Sequence, residues 1–206
     1  MTAIRTFVAI PLPEDLKHSL STTCAALRNA PGGRAARWVS VENMHLTLKF
    51  IGDVQTSHME ELRKAVATVC TRVAPLRVVI ARLGCFPSNA SPRVIWAGIA
   101  EGAPDLRSLA RQIDDALGAL GYPRDTRPFS AHITVARADK RAIAAELTAL
   151  GRSVGSWPEA TFGELVVQSV SVVQSDLHPS GPIYTNICTV PLQGLPGSLD
   201  APHTAY

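Results

Sequence analysis

The sequence MHLTLKF at residues 44–50 holds a histidine, an apolar residue, a threonine and another apolar residue. Its branched and apolar residues are typical of a β-strand. Side chains alternate between the two faces of a strand, so His45 and Thr47 are predicted on one face and the leucines on the other. One such strand alone is most often the solvated side of a sheet. However, the pattern recurs in AHITVAR at residues 131–137.

The surroundings of the two copies are also alike. In each half of the chain a predicted strand leads to a helix and then to a His-x-Thr strand. Apolar residues recur at helical spacing in four stretches, and β-branched runs lie between them. The chain therefore belongs to the α/β or α+β class, with helices covering a sheet. The four predicted helices are residues 14–30, 57–73, 104–120 and 139–150.

The composition is that of a globular protein. The 206 residues are 46% apolar and 18% charged, and the net charge of +3 allows an anionic partner. No signal peptide and no membrane span are predicted, and the four dispersed cysteines suit free thiols in a reducing cytosol. We expect a cytoplasmic monomer without a cofactor, consisting of one domain at residues 1–192 and a flexible tail at residues 193–206.

Two histidine–threonine faces in one groove would suit displacement at phosphorus. Near physiological pH, one imidazole can accept a proton while a second, charged imidazole donates one. Threonine hydroxyls can donate hydrogen bonds to the non-bridging phosphate oxygens. No metal is required, and the other four histidines lie apart from these strands, so a zinc site with its usual three protein ligands is disfavoured.

Strand parity also makes predictions for the neighbouring residues. Lys49 is predicted on the face of His45, either attracting phosphate or simply solvated. Phe50 has the opposite parity and is predicted in the core. Arg137 has the wrong parity relative to His132 and reaches the groove only if the strand ends or bulges near Ala136. Trp38 and Trp96 are predicted in the core or at the groove rim.

With these residues and their flanks, the chain resembles the two-histidine phosphoesterase superfamily. Within it, the chain is similar to the bacterial RNA 2′,3′-cyclic phosphodiesterases, also called 2′-5′ RNA ligases. The similarity extends over roughly residues 5–192. The stretches that carry it are RTFVAIPLP, RWVSVENMHLTLKFIGDV, LGCFPSNASPRVIWAGI, RPFSAHITVAR and SDLHPSGPIYTNICTVPL.

The resemblance implies a bilobal, pseudo-twofold α+β fold, in which two antiparallel sheets form a central cleft and helices pack outside. It implies that His45 is the proton donor, that His132 is the proton acceptor and that RNA with a 2′,3′-cyclic phosphate terminus is the substrate. Thr47, Thr134 and Arg137 would then bind the phosphate. At Ala131 the chain departs from the family, in which a proline commonly precedes the second histidine.

Several functions remain open from the sequence. The same site could hydrolyse small cyclic nucleotides or an ADP-ribose cyclic phosphate, or join RNA ends by 2′-5′ ligation. A module that binds terminal phosphates without turnover is a further alternative. The residues alone do not decide which histidine is the acid.

Overall fold

The structure is a computed structural model that describes residues 2–178 and 181–195. Its described part holds nine strands and four α-helices. The first half of the chain contains β1 (Ala3–Pro11), α1 (Glu14–Asn29), β2 (Ala36–Trp38), β3 (His45–Gln55), α2 (Met59–Cys70) and β4 (Leu76–Ser88). The second half contains β5 (Ser91–Glu101), α3 (Ala103–Ala119), β6 (His132–Ala138), α4 (Ala144–Gly155), β7 (Thr161–Val167), β8 (Ser169–His178) and β9 (Gly181–Pro191).

The strands pair antiparallel in one curled sheet of order β7-β4-β5-β6-β3-β1-β8-β9, and β2 pairs with β6. Strands β3, β1, β8 and β9 form one half, and β6, β5, β4 and β7 form the other. Leu46 of β3 pairs with Ile133 of β6 and joins the halves at the centre. The α+β class and the two antiparallel lobes are confirmed, although the two sheets are continuous through this pair.

Two of the four helices, α1 and α3, pack against the half of the sheet other than the one they follow along the chain. Helix α1 follows β1 along the chain but packs against β7, whereas α3 follows β5 but packs against β3 and α2. Helix α1 buries Leu16, Leu20, Cys24 and Leu27, the apolar stripe that the sequence predicts. Because each half is covered by a helix that begins in the other, the two halves share one continuous core.

A β-bulge displaces the residues that follow each His-x-Thr-x pattern. In β3, Thr47 pairs with Ala9 and Lys49 pairs with Val8, so Leu48 is the extra residue. In β6, Thr134 pairs with Trp96 and Ala136 pairs with Ile95, so Val135 is the extra residue. A bulge reverses the alternation of side chains beyond it. The two halves therefore carry the same irregularity at the same position of the pattern.

Three sequence predictions change with these bulges. The prediction that Lys49 lies on the face of His45 is wrong, because its side chain turns into the core and is 1% exposed. The prediction that Phe50 packs in the core is wrong as well, because it is 59% exposed. The bulge that Arg137 requires is present at Val135, and the arginine is exposed on the groove face.

Two helix starts also differ from the sequence prediction. The helix predicted from residue 57 begins at Met59, after a 3₁₀ turn, and Glu60 in its first turn pairs with Arg63. Helix α4 begins at Ala144, later than predicted. Within the described ranges, no helix is long and apolar enough to cross a membrane.

The chain end is described only in part. The backbone N–H groups of Gln193 and Gly194 donate to the carbonyls of Cys70, the last residue of α2, and of Val73, three residues farther on. The rest of the predicted tail, from residue 196 onward, lies outside the described residues.

Candidate active site

His45 is oriented by its own backbone surroundings. A 3₁₀ turn at Val41–Asn43 precedes β3, and Nδ1 of His45 lies 2.8 Å from the carbonyl oxygen of Asn43. A carbonyl only accepts hydrogen bonds, so Nδ1 carries the hydrogen. Nε2 lies 3.0 Å from Oγ1 of Thr47 and, in the neutral ring, accepts a hydrogen bond from that hydroxyl. The ring therefore presents Nε2 to the threonine side of the strand.

His132 has the same arrangement in the other half. Its Nδ1 lies 2.7 Å from the carbonyl oxygen of Ser130, two residues earlier, and donates to it. Nε2 of His132 is thus the proton-accepting nitrogen of the neutral ring. The ring of Phe86 meets this imidazole edge-on, with 5.1 Å between centroids and an angle of 88°. Backbone and aromatic contacts together set the direction of this ring.

The antiparallel register brings the two patterns side by side. Leu46 pairs with Ile133, so His45 and Thr47 flank this pair on β3, and His132 and Thr134 flank it on β6. Leu46 and Ile133 are fully buried on the helix side, so all four polar residues occupy the other face. Two imidazoles and two hydroxyls therefore converge on one patch of the groove.

The electrostatics of this patch favour neutral imidazoles. Burial lowers the pKa of His45, its hydrogen bond to Asn43 acts in the opposite direction, and the positive charges of Arg137 and His132 lower it further. Burial also lowers the pKa of His132, again opposed by a backbone hydrogen bond and assisted by Arg137. Arg137 thus acts electrostatically on both rings, and an anion bound among them would oppose its effect.

Lys49 has a structural role in this fold. Its Nζ lies 2.6 Å from a carboxylate oxygen of Asp114 in α3 and 3.4 Å from one of Asp125, and donates to the carbonyl oxygen of Pro123 at 2.9 Å. These partners satisfy the buried ammonium. Lys49 therefore connects β3 to α3 and to the segment that leads toward β6, and its ammonium is buried away from the groove face.

Aromatic residues enclose His45. The ring of Phe7 lies 4.9 Å from the imidazole, and the ring of Tyr184 meets it edge-on at 5.2 Å. A cavity of about 250 Å³ opens beside them. The sequence prediction did not single out Tyr184, because only the pairing of the β8–β9 hairpin with β1 places it here. No local pattern in the chain signals that contact.

Trp38 and Trp96 are both predicted from the sequence to lie in the core or at the groove rim, and the structure separates them. Trp96 is half-buried opposite Thr134, and its ring centroid lies 5.3 Å from that of Phe86. Trp38 is half-buried in β2, where its indole N–H donates to the carbonyl of Gly33. Trp96 therefore lines the groove on the side of His132, whereas Trp38 belongs to the core.

The acidic, thiol and imidazole side chains do not gather into a metal site. Across 2–178 and 181–195, no group of three or more histidine, cysteine, aspartate or glutamate side chains is arranged to hold a metal ion. His18 and His58 are exposed, on α1 and ahead of α2 respectively, away from the paired strands.

Comparison with known sequences points to one family. The family model described as "LigT like Phosphoesterase" matches the chain twice in succession, at residues 10–96 and 98–184. An Archaeoglobus fulgidus protein named RNA 2′,3′-cyclic phosphodiesterase is 31% identical over 89% of this chain and 98% of its own length. A Geobacillus stearothermophilus protein of the same name is 32% identical over 92% of this chain, which spans only 58% of that relative.

Solved structures share the fold. A Thermus thermophilus protein superposes with a TM-score of 0.75 at 28% identity, covering 93% of this chain and 99% of that one. Escherichia coli LigT in its apo form superposes with a TM-score of 0.72 at 23% identity and the same coverage. The two consecutive family matches correspond to the two halves of the chain, each with one His-x-Thr strand.

Proposed function

Because the chain belongs to the LigT-like phosphoesterase family, we propose that it hydrolyses RNA 2′,3′-cyclic phosphate ends to 2′-phosphate ends. The observation that supports this proposal most strongly is the pairing of Leu46 with Ile133 between β3 and β6. This pairing brings both His-x-Thr pairs onto one face of the sheet. The names of the Archaeoglobus and Geobacillus relatives support the choice of substrate. The mildly basic composition is compatible with an anionic substrate.

The proposed chemistry is an in-line displacement. His132 accepts a proton from water through Nε2, and the water oxygen forms a bond to phosphorus. The bond between phosphorus and the 3′ oxygen breaks, and His45 donates its proton to that oxygen. The products are a 2′-phosphate and a free 3′ hydroxyl. Each positioned proton transfer contributes typically about 10²- to 10⁴-fold in rate.

The backbone hydrogen bonds suit these roles. Both rings donate through Nδ1 to a carbonyl, so both present Nε2 for proton transfer. His45 must be protonated to act, although burial lowers its pKa. The negative charge of a bound phosphodiester favours the protonated ring and offsets that effect. Substrate binding would therefore be accompanied by proton uptake at His45.

Three further groups would hold the phosphate. Thr47 and Thr134 have hydroxyls on the same face as the imidazoles and can donate to the non-bridging oxygens. Arg137 lies beyond the bulge on this face and supplies positive charge. The reaction as written needs no metal ion, because the two imidazoles carry both proton transfers and these groups offset the charge of the phosphate.

The decisive assay uses an oligoribonucleotide with a 2′,3′-cyclic phosphate end, incubated with the protein in EDTA. We expect a 2′-phosphate end. It is identified by its mass and by the fact that a 3′-specific phosphatase does not remove it. A 3′-phosphate product would reverse the assigned leaving group. Binding of the oligonucleotide without turnover would identify a phosphate-binding module, and joined ends with a second 5′-hydroxyl RNA would identify a ligase.

A further inference from the structure

The two halves of the site differ at one matched position. Ala9 lies opposite Thr47 in the first half, and Trp96 lies opposite Thr134 in the second. One strand farther out, Ser171 pairs with Ala9, whereas Gly84 pairs with Trp96. Side chains of directly opposed residues share a face, so these are equivalent rows beside the two patterns. The row beside Thr47 consists of small side chains, whereas the row beside Thr134 carries the indole of Trp96.

On the side of His132 the indole fills the row. The ring of Trp96 covers Gly84 so closely that a Cβ there would lie 2.3 Å from its Cζ2 atom. Strand β7 pairs with β4 only at Leu76–Ala81, so no described strand walls the part of β4 beside Phe86. On the side of His132 the indole therefore occupies the space above the sheet, and the outer edge of the groove has no described strand beside it.

On the side of His45 the row is hollow. Ala9, Ser171 and Thr189 form its small-residue floor, and β9 provides a wall along the whole of β8. A bulge at Ile187 keeps Asn186 and Thr189 on the groove face, where the Asn186 amide donates to Oγ1 of Thr189 at 2.9 Å. The result is a cavity of about 250 Å³ beside the imidazole.

The lining of this cavity suits a neutral polar ring. Phe7 and Tyr184 provide aromatic surface, and the side-chain oxygen of Asn186 has no hydrogen-bond partner among the described residues. Lys17, the one cation in the described lining, is paired with Glu14. Glu42 at the rim has no ion pair within the described part of the chain and would repel a phosphate. The cavity therefore favours a nucleoside over a second anionic group.

We propose that the cavity beside His45, floored by Ala9 and lined by Tyr184 and Asn186, binds the nucleoside that carries the cyclic phosphate. This inference rests on the proposed function. The 3′ oxygen leaves phosphorus but stays on that ribose, so the histidine next to the nucleoside protonates it. Water enters from the opposite side, next to His132. The asymmetry of the two rows thus agrees with His45 as the acid.

The test compares two substrates that share a five-membered cyclic phosphate. One is a 2′,3′-cyclic nucleoside monophosphate and the other is glycerol 1,2-cyclic phosphate, which has neither the base nor the ribose ring. We expect the protein to prefer the nucleotide in kcat/KM by about tenfold or more, the value of one or two hydrogen bonds and a buried ring. Equal values for both substrates would overturn the inference while leaving the proposed function intact.

Variants locate the preference. Asn186→Ala removes an exposed amide and should reduce the nucleotide preference by about fivefold, mainly through KM. Ala9→Leu fills the hollow and should reduce it further. The matched control is Thr185→Ala, the neighbouring residue of β9 that points to the opposite face. An unchanged nucleotide preference in Asn186→Ala would contradict the assignment, and so would a reduced nucleotide preference in Thr185→Ala. Both outcomes can be read even if Ala9→Leu does not fold.

The outcomes separate the two proposals. If the parent protein hydrolyses neither cyclic phosphate, nor the cyclic-phosphate oligonucleotide, the proposed function fails. If it hydrolyses all of them but Asn186→Ala leaves the nucleotide preference unchanged, only the proposal for the nucleoside cavity fails. A direct binding measurement with adenosine 2′-monophosphate gives a second readout, in which Asn186→Ala should weaken binding by about fivefold and Thr185→Ala should not.

Discussion

Leu46 and Ile133, far apart in the chain, lie directly opposite each other where β3 meets β6. Both are fully buried beneath the helices. Because side chains alternate, this buried pair sets the polar residues on either side of it against each other on the open face. The apolar core thereby determines how the two histidines meet. A slip of one residue in either strand would turn the imidazole of that strand into the core.

Loss of either histidine should abolish most of the activity. We expect His45→Ala and His132→Ala each to lower kcat on a cyclic-phosphate oligonucleotide by at least about 10²-fold. The double variant should be little worse than either single one, because the two groups act in the same step. Steady-state kinetics and circular dichroism would measure activity and folding. The control is His18→Ala, which removes an exposed imidazole from α1. Full activity in either single variant would refute the proposed chemistry.

The pH profile should be displaced by Arg137. Burial first, and Arg137 in addition, lowers the pKa of both histidines. The bell-shaped kcat/KM profile of the free enzyme should therefore have its maximum below pH ~6.5, the ordinary histidine value. Arg137→Gln removes a charge that lowers both pKa values, so both limbs should move to higher pH while the maximum falls. Arg137→Lys keeps the charge and should keep the position of the limbs. A profile that Arg137→Gln leaves in place would contradict the assigned electrostatics.

Lys49 should matter for stability and not for phosphate binding. Lys49→Met removes a buried ammonium from Asp114 and Asp125 and should lower the free energy of unfolding by about 3 kcal/mol, as measured in urea. Asp114→Asn should be less destabilising in the Lys49→Met background than in the parent, because the pair is already broken. The folded Lys49→Met variant should bind inorganic phosphate like the parent. Loss of phosphate binding without loss of stability would restore the original prediction for this residue.

Gly84 should tolerate no side chain while Trp96 is present. A Cβ at this position would lie within the indole, so Gly84→Ala should lower the free energy of unfolding by about 1–3 kcal/mol. The same substitution should be much less destabilising in a Trp96→Leu background, where the ring is gone. Thermal and urea unfolding of the four proteins in this cycle would measure the coupling. Equal effects in both backgrounds would show that the indole is not the cause.

The repeated pattern and the apolar periodicities predict much of this molecule. The paired His-x-Thr strands, the helices between them and the stripe of α1 are all local features of the sequence, because alternation and helical spacing act over a few residues. The resemblance supplied the pairing of the lobes. Local patterns do not predict the partners of Lys49. Asp114 and Asp125 lie far from Lys49 along the chain, and no short-range pattern relates these carboxylates to the lysine.

The faces beyond each pattern, and the difference between the two halves, depend on tertiary contacts. The bulges at Leu48 and Val135 arise from how β3 and β6 pair with their neighbours, so strand parity read from the chain fails for Lys49 and Phe50. The hollow over Ala9 and the indole over Gly84 likewise arise from strands brought together across the sheet. Which chemical groups are present could be read from the chain alone, because side-chain identity and short-range periodicity are local. Their positions around a bound phosphate come from long-range pairing, which burial of the apolar core holds in one register.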